Sequence, residues 1–492
     1  MRAESDGPRG TLKLGGASVQ FLAYALCVAV VFNISRAVAW RQFVLLASSI
    51  VFLGFFSLHL TDFIPLAAFL LFGFVSMRLV RGAIIGPFVP VTIGVLAFVW
   101  LKRYAFIPSS LFLQHPYVTL GLSYIFFRVL HLILDSTSRY TTLPDKIGFV
   151  SYLNYTLNFT TLVSGPIQRY KSFAGMQLAP EPLPLTIRVA GRALDRIIVG
   201  FFKVNVLSLF LAMIQASALN SLSATQTAGQ RVWAGVIIAA AYPFYLYCNF
   251  SGYIDMVIGI ARFLRLQLPE NFNRPFSSEN YMIFWNRWHI TLSMWVRIYV
   301  YSPVMMACIR RWPSPAIEPF LSVFAFFVTF FLVGLWHGQT SMFIVFGVLQ
   351  GLGVSLTKLY QVMMTRALGV EEYEAISRNW FYNVLARGLT FTWCTLTLLW
   401  FWSSWTQMGS LMRIIRPAQV ALIWVTILVG SSVLLGLWEL SRAWFLSFQF
   451  ESEPFLQSRY VRTVRDTALA AIAIAVLALL NVPPPDIIYK TF

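Results

Sequence analysis

Charge is scarce in this sequence, and acid is scarcer still. Asp and Glu number 19 against 37 Lys and Arg, and charged residues make up 11% of the 492. That shortage excludes an ordinary soluble globular chain, whose surface is kept in water by charged side chains. The four cysteines, Cys27, Cys248, Cys308 and Cys394, lie in or beside apolar segments and form no CxxC pair. They argue against a disulfide framework and against a zinc cluster. No G-x-S-x-G elbow, H-E-x-x-H, D-D-x-x-D or Walker sequence occurs. The marks of covalent hydrolysis, zinc proteolysis and nucleotide hydrolysis are therefore missing. Histidine is rare, with five in the chain, so each one in a polar setting is a candidate for chemistry.

What is abundant is apolar surface: 58% of residues are hydrophobic and the mean hydropathy is +0.70. Runs long enough to cross a hydrocarbon core recur along the chain, which predicts an all-α, multi-pass membrane protein with roughly eleven to thirteen spanning segments. Early runs near 18–35, 42–58, 62–77 and 85–100 are joined by short links carrying Arg36, Arg41, Arg78, Arg81, Lys102 and Arg103. Later ones fall near 231–261, 317–334, 340–358, 383–402, 418–438 and 467–482. The formal net charge of +18 is spread between these runs. It reads as arginines holding helix ends at anionic headgroups, with no contiguous basic domain for nucleic acid. Residues 1–14 form a polar N-terminal tail, and the next run lacks a small-x-small cleavage site, so it reads as a retained membrane helix. The domain expectation is 15–105 for N-terminal membrane helices, 115–405 for a catalytic core and 415–492 for C-terminal helices and tail.

Polar groups inside apolar runs mark that core, because they are expensive in lipid and face the protein or a wet cavity. In 116–134, Arg128, His131 and the following Asp135 can share one helix face, a pattern that suits structural pairing better than catalysis. Gly165-Pro166 is expected to break a helix. Residues 182–203, with Arg188, Arg192, Arg196 and Lys203, read as a basic amphipathic helix that lies along the membrane surface before entering it. Segment 231–261 holds Asn249, Ser251 and Asp255. Asp255 either orients a substrate hydroxyl or pairs with an arginine. The polar aromatic run 267–288 is expected to form re-entrant or interfacial helices lining a depression, whereas 366–380 and 441–466 read as loops or surface helices.

The chain is organised around residues 271–337, which hold Phe284-Trp285-Asn286-Arg287-Trp288-His289 and Gly334-Leu335-Trp336-His337-Gly338. A histidine near the membrane midplane can take a proton from an alcohol and remain neutral between turnovers. Asparagine, arginine or tryptophan N–H groups would stabilise the oxyanion formed in acyl transfer. Trp285, Trp288 and Trp336 read as walls and packing. The other class these features allow is a polar-substrate transporter or flippase, which an inverted repeat with matched broken helices would favour; none is visible in the sequence.

These stretches, with Gly165-Pro166-Ile167-Gln168-Arg169-Tyr170, Phe250-Ser251-Gly252-Tyr253 and Pro269-Glu270-Asn271-Phe272-Asn273, resemble the membrane-bound O-acyltransferase family over roughly 115–405. The resemblance is to the bacterial branch that includes the alginate O-acetylation and teichoic acid D-alanyl transfer membrane proteins. It implies a ring of peripheral helices around a thin core of broken and re-entrant helices with a central tunnel. It implies His337 as the catalytic base and His289 as the second polar landmark, reached from the tunnel's other side. Asn286, Arg287, Asp255, Asn249, Arg297 and Trp336 are then expected to position donor or acceptor. The implied reaction moves an acyl group, acetyl first, from a cytoplasmic thioester to a hydroxyl of a cell-envelope polysaccharide. The cosubstrate is acetyl-coenzyme A or a charged acyl carrier protein, with D-alanyl or longer-acyl transfer as the alternative, and no metal or bound cofactor is implied. Expected partners are the carrier protein on the cytoplasmic side, periplasmic glycan-modification proteins and the bilayer of a bacterial inner membrane. The sequence departs from the branch at Ile298 and Asn249, where aspartate is usual, at Gln350, where a second histidine often stands, and at Trp400-Phe401-Trp402-Ser403.

Overall fold

The computed structural model describes residues 18–137, 143–144, 146–222, 227–447, 449–450, 453–454 and 458–480. The polar tail expected at 1–14 lies outside them. The described chain is helical. Among the described residues nine helices are long and apolar enough to cross a membrane, and Val19–Phe32, Val38–Gly54 and Phe88–Leu101 are shorter apolar ones. Described β-structure is confined to a minimal antiparallel pair, Gln449–Phe450 with Glu453–Pro454, and one isolated bridge. Large apolar side chains such as Val30, Leu434 and Ile474 are about 70% exposed. In water that would be a liability, and facing lipid it costs nothing.

The helices fall into two compact units. Among described residues the first holds 18–201 and 252–269. It contains α1 (Val19–Phe32), α2 (Val38–Gly54), α3 (Ile64–Arg81), α4 (Phe88–Leu101), α5 (Leu122–Asp135), α6 (Phe149–Leu157), α7 (Phe159–Leu162), α8 (Tyr170–Gln177) and most of α9 (Ile187–Phe202). Rings pack its core, with Phe52 meeting Phe21 at 5.9 Å and Phe159 at 6.1 Å between centroids.

The α5 run starts later than its apolar stretch suggests, because Gly121 turns the chain with φ 69°. A side chain there would meet the Leu162 backbone carbonyl, so glycine is required twice over. Between α6 and α7 the backbone breaks at Asn158, whose side chain accepts from the Thr160 backbone N–H at 3.2 Å. The guanidinium of fully buried Arg128 satisfies the carbonyls this break frees. It donates to the Tyr155 and Thr156 carbonyls at 3.1 and 2.9 Å, and to the Thr161 carbonyl and hydroxyl at 2.8 and 2.7 Å. The helix-breaking dipeptide Gly165-Pro166 falls between α7 and α8, as expected.

Several link arginines serve carbonyls instead of facing headgroups. Arg41 is buried and donates to the carbonyls of Arg36, Met176 and Ala179, and Arg81 donates to that of Pro144. A helix end inside protein leaves orphan carbonyls that only a donor of this reach can satisfy.

The second unit holds, of the described residues, 202–251 and 270–480. Helix α9 continues through a π-helical turn, Lys203–Ser208, into α10 (Leu209–Leu222), so 187–222 forms one long candidate span. Helix α11 (Ala228–Phe263) carries Pro243 in its interior, which removes one backbone donor. Then come the short α12 (Tyr281–Arg287) and α13 (Ile290–Val296), a π-helical turn at Arg297–Tyr301, and α14 (Ser302–Arg311). The long α15 (Glu318–Trp336), α16 (Met342–Leu368), α18 (Trp380–Trp402), α20 (Pro417–Ser447) and α21 (Arg459–Leu480) follow, with exposed α17 (Val370–Arg378) and α19 (Trp405–Ile414) between them. Segment 366–380 is thus a helix end plus a short surface helix. Much of 441–466 is helical too, as extensions of α20 and α21. Val232, Ala239, Phe391, Ile423 and Ile427 form one buried cluster.

Candidate active site

Helix α12 is opened by Asn280, whose side chain accepts from the Ile283 N–H at 2.9 Å. It ends after Arg287, and Trp288 is extended. Residues 287–290 then run antiparallel to 271–273: the Asn273 N–H donates to the Arg287 carbonyl at 2.9 Å and the Ile290 N–H to the Asn271 carbonyl at 3.0 Å. Between those two bonds His289 adopts φ 45° and ψ 53° and begins α13. A non-glycine residue held left-handed stores of order 1–3 kcal/mol and persists only where its surroundings enforce it. Phe272 and Trp288 pair across this ribbon with rings 5.1 Å apart. Such a ribbon of asparagine and aromatic residues explains why this run is neither linker nor uninterrupted helix.

His289 is fully buried, edge-on to Phe250 at 5.0 Å. The Asn271 side-chain oxygen accepts from the Thr291 backbone N–H at 3.0 Å and the Thr291 hydroxyl at 2.8 Å. It also lies 3.3 Å from His289 Nδ1.

His337 follows the last residue of α15, and its N–H donates to the Gly334 carbonyl at 3.2 Å. Its ring lies 4.8 Å from Trp336, 5.7 Å from Phe346 and 5.3 Å from Phe401. The glycines of this motif have a packing reason. A side chain on Gly334 would strike the backbone of Gly347 in α16, and one on Gly338 would strike the Phe343 ring. Close contact of α15 with α16 is what brings Phe346 up to the imidazole. Trp285 of α12 packs on Phe330 of α15 at 4.9 Å, tying the helix before His289 to the helix before His337.

The other expected residues scatter more. Trp336 and Asn249 are buried and Arg287 is half-buried, donating to the Ser277 carbonyl at 3.2 Å. Asn286 and Arg297 are exposed, Arg297 at the start of the second π-helical turn. Asp255, in the first unit, takes the pairing option: Arg196 Nε donates to it at 3.0 Å, with the two side chains 28% and 15% exposed. A pair covered to this degree lies between an exposed one, which contributes about 1 kcal/mol or less, and a buried one, where losing one partner costs about 3–5 kcal/mol. Asp255→Asn, which leaves the largely covered Arg196 without its carboxylate, is therefore expected to lower the thermal unfolding temperature of the detergent-solubilised protein, and an unchanged temperature would contradict this.

His131 makes the pairing its pattern allowed. Its Nε2 accepts the Tyr170 N–H at 3.2 Å and its Nδ1 faces Asp135 at 3.3 Å. At Gln350, where the resembling branch often carries histidine, the side-chain oxygen accepts from the buried Tyr281 hydroxyl at 2.6 Å. The residue that the sequence left out is Asn271. It was visible as part of a polar run, but its pairing with His289, 18 positions on, depends on a ribbon that no periodicity announces.

A match to the membrane-bound O-acyltransferase family spans residues 84–401, which includes both histidines. The chain is 26% identical to a teichoic acid D-alanyltransferase of Bacillus subtilis over 273 residues, covering 55% of this chain and 65% of that protein. It is 30% identical to a probable alginate O-acetylase of Pseudomonas aeruginosa over 260 residues, 52% of this chain and 44% of that one. It is also 31% identical to a peptidoglycan O-acetyltransferase of Helicobacter pylori over 230 residues, 46% and 40% of the two chains. The alignments thus span between two fifths and two thirds of these relatives.

Proposed function

Because the chain belongs to the membrane-bound O-acyltransferase family, we propose that it moves an acyl group, acetyl first, from a cytoplasmic thioester onto a hydroxyl of a cell-envelope polysaccharide. The observation that carries this reading is His337, inside the family match and held by α15 and α16 within a wall of aromatic rings. Two of the three relatives named above are described as acting by O-acetylation, on alginate and on peptidoglycan.

The His337 imidazole takes the acceptor hydroxyl's proton as that oxygen attacks the thioester carbonyl. The tetrahedral intermediate collapses with cleavage of the carbon–sulfur bond, and the proton passes to the departing thiolate. Alcohol and thioester become ester and thiol. His289, Asn286, Arg287 and Asn249 act on the donor side, Trp336 walls the reacting centre, and Arg297 orders its surroundings, whereas Asp255 is taken up by Arg196 within the first unit. The setting is a bacterial inner membrane, with the donor or a charged carrier protein arriving from the cytoplasm and periplasmic glycan-modification proteins handling the acceptor.

A second reading, D-alanyl transfer from a carrier protein, has the Bacillus subtilis relative in its favour. Donor competition separates the two. Nanodisc-embedded protein is given envelope glycan with labelled acetyl-coenzyme A, or with a carrier protein charged with labelled alanine. Label reaching glycan from acetyl-coenzyme A is the expected result. Label from the charged carrier alone would transfer the assignment to the second reading.

A further inference from the structure

We propose that Asn271 is the positioning residue that fixes His289 as its Nδ1–H tautomer, so that this histidine takes part in acyl transfer through Nε2 as a hydrogen-bond acceptor, while His337 carries the proton. The inference rests on the acyl-transfer reading and assigns the chemical sense of its second histidine.

The argument begins with the asparagine amide, whose oxygen and nitrogen are assigned from the donors around them. The Thr291 backbone N–H is only ever a donor, and it points at this atom from 3.0 Å. The atom is therefore the carbonyl oxygen, and the Thr291 hydroxyl at 2.8 Å is turned to donate to it as well. An amide oxygen has no proton to give. The His289 Nδ1 at 3.3 Å must then be the protonated nitrogen of that contact. In a neutral imidazole, protonation of Nδ1 leaves the lone pair on Nε2.

The backbone makes this choice firm. The Ile290 N–H on the Asn271 carbonyl and the left-handed turn at His289 fix where the ring leaves the chain. Phe250 closes the ring's other side. Phe250, Asn271 and Thr291 carry no charge. The nearest charged groups in sequence are Glu270, which is exposed, and Arg287, which is directed to the Ser277 carbonyl. No carboxylate takes Asn271's place, so the orienter stays neutral and does not pull the imidazole toward its charged form.

The consequence is specific. A neutral His289 of this tautomer cannot polarise the thioester carbonyl, which needs an N–H at Nε2. It accepts from an N–H or O–H of the donor or acceptor instead. In wrong-tautomer variants of base–orienter pairs the geometry survives and the rate falls.

The test has two arms on the full chain in nanodiscs. In the first, 15N-labelled histidine signals are recorded, with the His289 ring identified by its loss in His289→Ala. The expected spectrum has a protonated Nδ1 and a bare Nε2, and Asn271→Leu adds a population protonated at Nε2. A wild-type ring protonated at Nε2 overturns the proposal. This arm needs no turnover, so it stands even if the acyl-transfer reading fails because the wild-type protein moves no acyl group.

In the second arm, Asn271→Leu is expected to lower kcat roughly 10- to 100-fold with little change in KM for the thioester. Asn271→Asp keeps an acceptor for Nδ1–H and Thr291 and should restore most of that rate. Its carboxylate favours imidazolium, so activity, which requires the neutral ring, is lost at a higher pH than in the wild type. An acid limb unchanged by Asn271→Asp, together with a rate in Asn271→Leu reduced only in proportion to folded protein, would make Asn271 merely structural and overturn the proposal.

Discussion

Replacing His337 by alanine is expected to lower kcat for acyl transfer by roughly 10²- to 10⁴-fold, the usual contribution of a positioned general base. The protein should still insert and fold. The ring ends α15 and is walled by Trp336, Phe346 and Phe401. Its removal therefore opens a cavity, at a cost of about 3 kcal/mol if the walls do not relax. That cost is separable from chemistry. His337→Phe refills the volume without a titratable nitrogen, and it should recover the unfolding temperature but none of the rate. Activity in His337→Phe near that of the wild type would remove the histidine from the mechanism.

Arg128→Met should have the largest effect on folding. The guanidinium donates to three carbonyls and a hydroxyl around the α6–α7 break. Removing the cation recovers the cost of burying its charge, an opposing term that makes many buried pairs close to neutral. Here the acceptors decide the sign. Each buried carbonyl left without a donor costs about 1–3 kcal/mol, and these acceptors surround a fully buried side chain. The expected loss is roughly 3 kcal/mol or more, a large share of the stability of any folded domain. Lysine should not rescue it, since one ammonium cannot span acceptors on two stretches of chain as the planar fork does. A thermal unfolding temperature within a few degrees of wild type for Arg128→Met would show that the break supports itself.

Those two residues mark how much could be read from the chain alone. The membrane class and the helices were legible because composition and run length are local properties, and lipid enforces them without exception. His337 was legible because Trp336-His337-Gly338 is contiguous. Arg128 was visible as an expensive charge in an apolar run, on one helix with His131 and Asp135, but its own partners were not. His131 does meet Asp135, whereas Arg128 turns away to carbonyls 27 to 33 positions on. The link arginines misled for the same reason: Arg41 sits where a headgroup anchor belongs, yet it reaches carbonyls 135 and 138 positions later. Bonds from side chain to distant backbone leave no periodicity. Asn271 was hidden in the same way, its partner fixed by a ribbon of two backbone bonds. The amphipathic stretch at 182–203 showed a helix leading into the membrane, but the π-helical turn at its junction with α10 was not written in its charge pattern.

The most direct test is chemical analysis of the product. Purified protein in nanodiscs is incubated with acetyl-coenzyme A and envelope glycan, and the glycan is examined by mass spectrometry before and after mild alkali. The account predicts base-labile acetyl esters on glycan hydroxyls with wild-type protein and none with His337→Phe. Glycan unmodified by folded wild-type protein, whether acetyl-coenzyme A or a charged carrier protein is supplied, would contradict it.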